Sequence, residues 1–155
     1  MTTFAGRWSR EEAASFLREA TVPVRIACER PDGALWMLSL RFRYREGALW
    51  CATASDADVV GYLGRDGRVV FEVSTNEPPY RGVRGDGTAT VAGDDDTELL
   101  RDLLERYLGG AESTLTRRLL DEKRDEAVVR VEPNRAYSWD FADRMADAVP
   151  ADEPR

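Results

Sequence analysis

The sequence predicts one α+β domain built on a small, mainly antiparallel β-barrel of six to seven strands with short helices outside it. Three observations carry this prediction. Apolar and polar residues alternate with period two in several short runs. Those runs are joined mostly by turns too short to hold a crossover helix, which excludes a doubly wound parallel sheet. Helical spacing of apolar residues is confined to a few short stretches. With 155 residues, 43% of them apolar, the chain is long enough to bury one core.

Ser9 to Glu12 spell a capping box: the Ser9 hydroxyl accepts from the amide three residues on, and Glu12 reaches back. Ala13, Phe16, Leu17 and Ala20 follow at helical spacing, so a first helix ends before Pro23. Residues 22–29 read as a strand. Pro31-Asp32-Gly33 reads as a turn in which proline sets φ and glycine accepts positive φ. Residues 35–45 read as one strand, with Trp36, Leu38, Leu40, Phe42 and Tyr44 on one face and Ser39, Arg41, Arg43 and Arg45 on the other. Residues 45–47 close a hairpin, and 48–54 return as a nearly unbroken apolar strand. A short helix over 56–65, capped by Ser55 or Asp56, turns Val59, Val60 and Leu63 inward.

Residues 68–75 form the next expected strand, and the two prolines make 76–80 a loop. The long strand after it puts Val83, Gly85, Gly87, Ala89 and Val91 on one face. Glycines at that spacing predict strong bending or a neighbouring backbone close by. Asp94, Asp95 and Asp96 cap a helix carrying Leu100, Leu103, Leu104, Tyr107 and Leu108, which Gly109 and Gly110 end. A further helix over 113–123 precedes two strands, 127–132 and 136–141, on either side of Pro133 and Asn134. The domain is expected over residues 1–141, with a polar tail over 142–155.

Composition narrows the chemistry. The net charge is −7, so the surface suits nucleic acid poorly. Histidine is absent, which removes Ser–His–Asp and Cys–His catalysis, histidine zinc sites and the usual haem ligand. No apolar run approaches the roughly 18 residues of a membrane helix, and the first residues carry no basic-then-apolar signal, so a cytoplasmic protein is expected. Cys28 and Cys51 lie in apolar runs with no C-x-x-C spacing and read as reduced core thiols; no metal site is expected.

The glycines at 82, 85 and 87 are in the wrong order for a dinucleotide fingerprint and lie inside a strand. Arg41, Arg43 and Arg45 project in parallel, about 7 Å apart along their strand. They form either a solvated face or a cradle for a phosphate or carboxylate, which guanidinium groups grip bidentately. In the second case Thr53 and Ser55, at the end of the adjoining strand, offer hydroxyls to the same anion.

The order Pro31-Asp32-Gly33, Ala52-Thr53-x-Ser55, Leu63 and Arg68 to Val73 resembles the pyridoxamine 5'-phosphate oxidase-like family of FMN-binding split barrels. The stretch from Glu77 to Ala89 is similar to that family's "PY…V-R-x-x-G-x-A" strand, and the resemblance runs from about Phe16 to Phe141. It implies a split barrel, a homodimer with two flavin sites at the subunit interface, and a phosphate held by strand ends and hydroxyls. The implied activity is that of an FMN-dependent oxidoreductase, with a deazaflavin as the alternative cofactor and small molecules as ligands. Competing readings are a non-catalytic flavin- or deazaflavin-binding protein and a cofactor-free interaction dimer. The family's Ser/Arg-Lys pair, whose lysine binds the FMN phosphate, falls at Asp58 and Val59 here. Arg41 or Arg43, with Thr53 and Ser55, would then have to hold the phosphate.

Overall fold

The computed structural model describes residues 1–93 and 126–146. In chain order its elements are β1 (Thr3–Gly6), α1 (Arg10–Glu19), β2 (Val24–Glu29), β3 (Leu35–Leu40), β4 (Phe42–Arg45), β5 (Ala48–Ala54), α2 (Asp58–Arg65), β6 (Arg68–Ser74), β7 (Arg81–Gly93) and β8 (Glu126–Asp140). The helices expected between residues 94 and 123 lie outside the described residues.

The strands form one sheet in the order β3-β2-β6-β7-β8-β5-β4, every neighbouring pair antiparallel, with β1 added in parallel on β8. The two strands at the ends of that order, β3 and β4, are consecutive in sequence. The chain itself therefore bridges the two edges through Arg41, and the curled sheet is a split barrel rather than an open layer. This corrects the single strand expected over 35–45. The alternation holds across Arg41, but the two halves pair with different neighbours, β3 with β2 and β4 with β5.

Inside the curl lie Ile26, Phe42, Leu49, Val73, Val83, Val129 and Val131, all fully buried. Ala13 and Leu17 of α1 and Val59 and Leu63 of α2 join the same core. The α1 capping box is present: Ser9 Oγ accepts from the Glu12 amide at 3.1 Å, and Glu12 Oε1 from the Ser9 amide at 3.1 Å. The hairpin between β4 and β5 turns on Glu46 and Gly47 with φ of 54° and 74°, the two positive angles a right-twisted two-residue turn requires.

Three further expectations are corrected. The α2 cap is Ala57, not Ser55 or Asp56, and no side chain caps it; β5 runs to Ala54, and the Ala57 amide donates to the Ala54 carbonyl at 3.0 Å, which delays the helix. The two last strands are one, β8. Asn134 is the extra residue of a bulge, since Asp86 pairs with Arg135 and Gly87 with Pro133. Pro133 sits where the far side of β8 changes partner from β5 to β1, so its missing N–H interrupts no ladder. β1 was not anticipated. Four residues carry too little pattern, and long-range bonds hold the strand, among them Thr2 Oγ1 to the Pro133 carbonyl (2.7 Å) and the Trp8 amide to Ser138 Oγ (2.9 Å). The glycine face of β7 is as expected: a Cβ on Gly85 would collide with the Arg135 carbonyl, and one on Gly87 with that of Glu132.

Candidate functional site

Outward-facing residues of five neighbouring strands line up in rows, because register places them side by side. One row runs Met37, Ala27, Val70, Asp86, Arg135; the next runs Ser39, Arg25, Glu72, Arg84, Tyr137. The apolar members are open to solvent, Met37 being 62% and Val70 54% exposed, although an ordinary outer sheet face is polar. All of these residues but Ser39 line a cleft of about 510 Å³, which β1 borders through Thr3 and Ala5. A second cleft of about 470 Å³ shares Ala27, Val70 and Asp86 and extends past Glu29, Leu35 and Arg68. Cavities of this size, part apolar and part cationic, suit small-molecule ligands.

The charges are arranged rather than scattered. Arg135 donates to Asp86 (3.1 Å), and Glu72 accepts from the Ser74 hydroxyl (2.8 Å). The Arg25 guanidinium donates through Nη2 to Asn76 (2.8 Å), while its Nη1 is buried without a hydrogen-bond partner. Arg84 lies over two rings, 5.0 Å from Tyr137 and 5.1 Å from Trp139. Among the described residues neither Arg25 nor Arg84 has a carboxylate within ion-pair distance. Both keep hydrogen-bonding capacity for an anionic group.

The residues singled out from the sequence are distributed differently. Phe42, between Arg41 and Arg43, points into the core, so both arginines belong to the outer face; Arg43 pairs in register with Trp50. Arg43 also lines a groove of about 690 Å³ with Arg10 and Arg18 of α1 and with Arg45. Thr53 shares the inward parity of Leu49 and Cys51 and is half-buried, while Ser55 is exposed beyond the strand end. The structure therefore brings Arg41 and Arg43 onto one side of the sheet and turns Thr53 to the other. At the start of α2, Asp58 is exposed and Val59 is buried in the core. An acid at the first turn and a valine facing inward do not fit a phosphate there.

The outer-face residues Arg25, Met37, Val70, Arg84 and Tyr137 were missed from sequence. Their signal was present only as alternation within each strand; cross-strand rows need the register. The cysteines are structural, as expected: burial pushes the Cys51 thiol up to about 12 and raises that of Cys28, which Asp66 raises further. Among the described residues no group of His, Cys, Asp and Glu could hold a metal, and no helix is long and apolar enough to cross a membrane.

A family model described as pyridoxamine 5'-phosphate oxidase matches residues 9–138. No curated protein compared with the chain matches it. Similar solved structures include a conserved protein of Mycobacterium tuberculosis (22% identity, TM-score 0.74, covering 96% of this chain and 93% of that one). An F420 reductase follows at 20% identity and TM-score 0.65, covering 77% and 92%. An FAD-binding protein of Mesorhizobium loti is similar at 19% identity and TM-score 0.59, covering 84% and 93%. At these identities the likenesses show a shared split-barrel fold.

Proposed function

Because the chain belongs to the pyridoxamine 5'-phosphate oxidase family, we propose that it is an oxidoreductase using a flavin-type cofactor, FMN or a deazaflavin, as a cytoplasmic homodimer. The observation that carries this reading is the outer-face cleft of about 510 Å³, with apolar Met37, Ala27 and Val70 beside Arg25 and Arg84. The reductase and FAD-binding structures with this fold support a flavin-type ligand. Two free, buried thiols accord with a reducing compartment.

A flavin or deazaflavin, when bound, supplies hydride transfer. The chain's own contribution is binding. Val70, Met37 and Tyr137 offer a flat apolar surface to a ring system, and Arg25 and Arg84, on either side of Glu72, grip an anionic group. The start of α2 does not fit the FMN phosphate, so the grip passes to the sheet. Arg41 and Arg43 on the outer face, or Thr53 and Ser55 at the strand end before α2, are alternative holders as two separate pairs, since Thr53 faces the other side of the sheet from the arginines.

Titrating the purified chain with FMN and, separately, with a deazaflavin tests the reading through visible absorbance that survives desalting. Failure of both to bind at micromolar concentration overturns it. In a protein that binds, Arg84→Ala is expected to weaken affinity about tenfold or more, as loss of a charge-assisted hydrogen bond does. Loss of affinity in Arg43→Ala instead assigns the anion to the arginines of β4.

A further inference from the structure

The groove between α1 and the β4–β5 hairpin lies apart from the cofactor cleft. The first strand divides the two: Thr3 and Ala5 of β1 border the cleft, while Phe4 and the preceding Thr2 border the groove. Arg10 and Arg18 stand on the α1 wall with Ala14 between them, and Arg43 and Arg45 stand on the hairpin wall. Only Glu11 and Glu46 oppose them among the residues that line it, so the groove is cationic on a chain whose net charge is −7.

Among the described residues neither Arg10 nor Arg18 has a carboxylate within ion-pair distance. Neutral groups hold Arg10 instead. Its Nη2 donates to the Thr2 carbonyl (2.9 Å), and its guanidinium lies 4.9 Å from the centre of the Phe4 ring. The charge is fixed in place without being neutralised. Tyr44 borders the groove from the core side and is nine-tenths buried, and its hydroxyl makes no hydrogen bond among the described residues. Burial raises this phenol above its ordinary value, and Arg18 and then Arg10 offset part of the rise. Both guanidinium groups therefore act on the same hydroxyl, a donor left without an acceptor.

From this arrangement we infer a second binding site, separate from the cofactor cleft, for a compact anion of two or more linked phosphate or carboxylate groups. Arg10 and Arg18 are eight residues apart, about 12 Å along α1, and both act toward Tyr44. Arg43 and Arg45, about 7 Å apart on β4, border the site from the opposite wall. One isolated anionic group satisfies one or two guanidinium forks. A linked series meets both walls, and the Tyr44 hydroxyl donates to it from the core side.

Isothermal titration calorimetry at about 50 mM salt, where such contacts are only partly screened, tests the site with tripolyphosphate and, in a second arm, with citrate. At least one of the two is expected to bind with a dissociation constant below about 100 µM. The tighter one tells whether the site takes linked phosphates or linked carboxylates. Arg18→Ala is expected to weaken that binding about tenfold or more, and Tyr44→Phe, which removes only the hydroxyl, about threefold or more. Arg84→Ala, in the cofactor cleft, is expected to leave it within about threefold. Arg18 is exposed, so an unchanged far-ultraviolet dichroism spectrum of its variant separates lost binding from lost folding.

Failure of both anions to bind overturns the inference, as does binding that Arg18→Ala or Tyr44→Phe leaves unchanged. Binding that Arg84→Ala weakens as much as Arg18→Ala does would merge the two sites and also overturn it. None of these readouts uses flavin absorbance, so the cofactor reading stands or falls separately.

Discussion

The run from Leu35 to Arg45 alternates without interruption, yet its two halves serve different surroundings. Inward, both feed one core: Trp36, Leu38 and Leu40 from β3, Phe42 and Tyr44 from β4. Outward, β3 shows Leu35, Met37 and Ser39, whereas arginines 41, 43 and 45 occupy the outward positions from the junction through β4. The strands lie at opposite ends of the sheet order, so the apolar half borders the outer-face cleft and the basic half borders Trp50 and α1. An alternating pattern identifies the buried side of a strand. What the other side meets depends on the strand's neighbours.

The most damaging test attacks what the halves share. Phe42 is fully buried directly after the junction, and Phe42→Ala is expected to lower unfolding free energy by about 3–5 kcal/mol in denaturant titration. A loss below about 1 kcal/mol would mean that the junction is not packed as described.

The next two substitutions separate the outward sides. Met37→Lys is expected to leave unfolding within about 0.5 kcal/mol, since Met37 is exposed, while weakening flavin affinity at least about tenfold. Arg43→Ala on the β4 half is expected to leave flavin affinity within about threefold. Equal effects from the two substitutions would erase the distinction between the halves.

The smallest effect concerns the ion pair of Asp66 and Arg68 along the second cleft. Hydrogen bonds from the Arg68 side chain, then from its amide, lower the half-buried Asp66 carboxyl from 3.8 to about 2. Because the folded value lies below the unfolded one, its stabilising contribution is present above pH 3.8 and is lost as pH falls towards about 2. Asp66→Asn is expected to flatten that part of the acid-unfolding profile without changing the fold. A profile that keeps its full slope below pH 3.8 would show that the pair contributes nothing.

Much of the fold was legible because it is written locally. The Ser9–Glu12 box, the inward set from Trp36 to Tyr44 and the glycine face of β7 need only neighbours along the chain. The elements read incorrectly depend on distant partners. β1 exists because β8 offers an open edge, β8 stays continuous because its far side changes partner at Pro133, and α2 begins late because β5 runs to Ala54. The candidate site was less legible still. Arg43 and Thr53, near each other on adjoining strands, were separated by parity, while Arg25, Val70 and Arg84, far apart in sequence, came to share one face.

The family resemblance placed an altered phosphate position at Asp58 and Val59; by itself the sequence determined an antiparallel barrel with period-two strands, a capped first helix and chemistry without histidine. These follow from residue type and spacing, which act over a few residues. Only the tertiary structure decided that residues 35–45 divide between the two ends of the sheet order, and that Glu29, Arg25, Arg68 and Glu72 surround an apolar centre. Strand register brings such residues together, and register is set by the packing of the whole sheet rather than by any one strand.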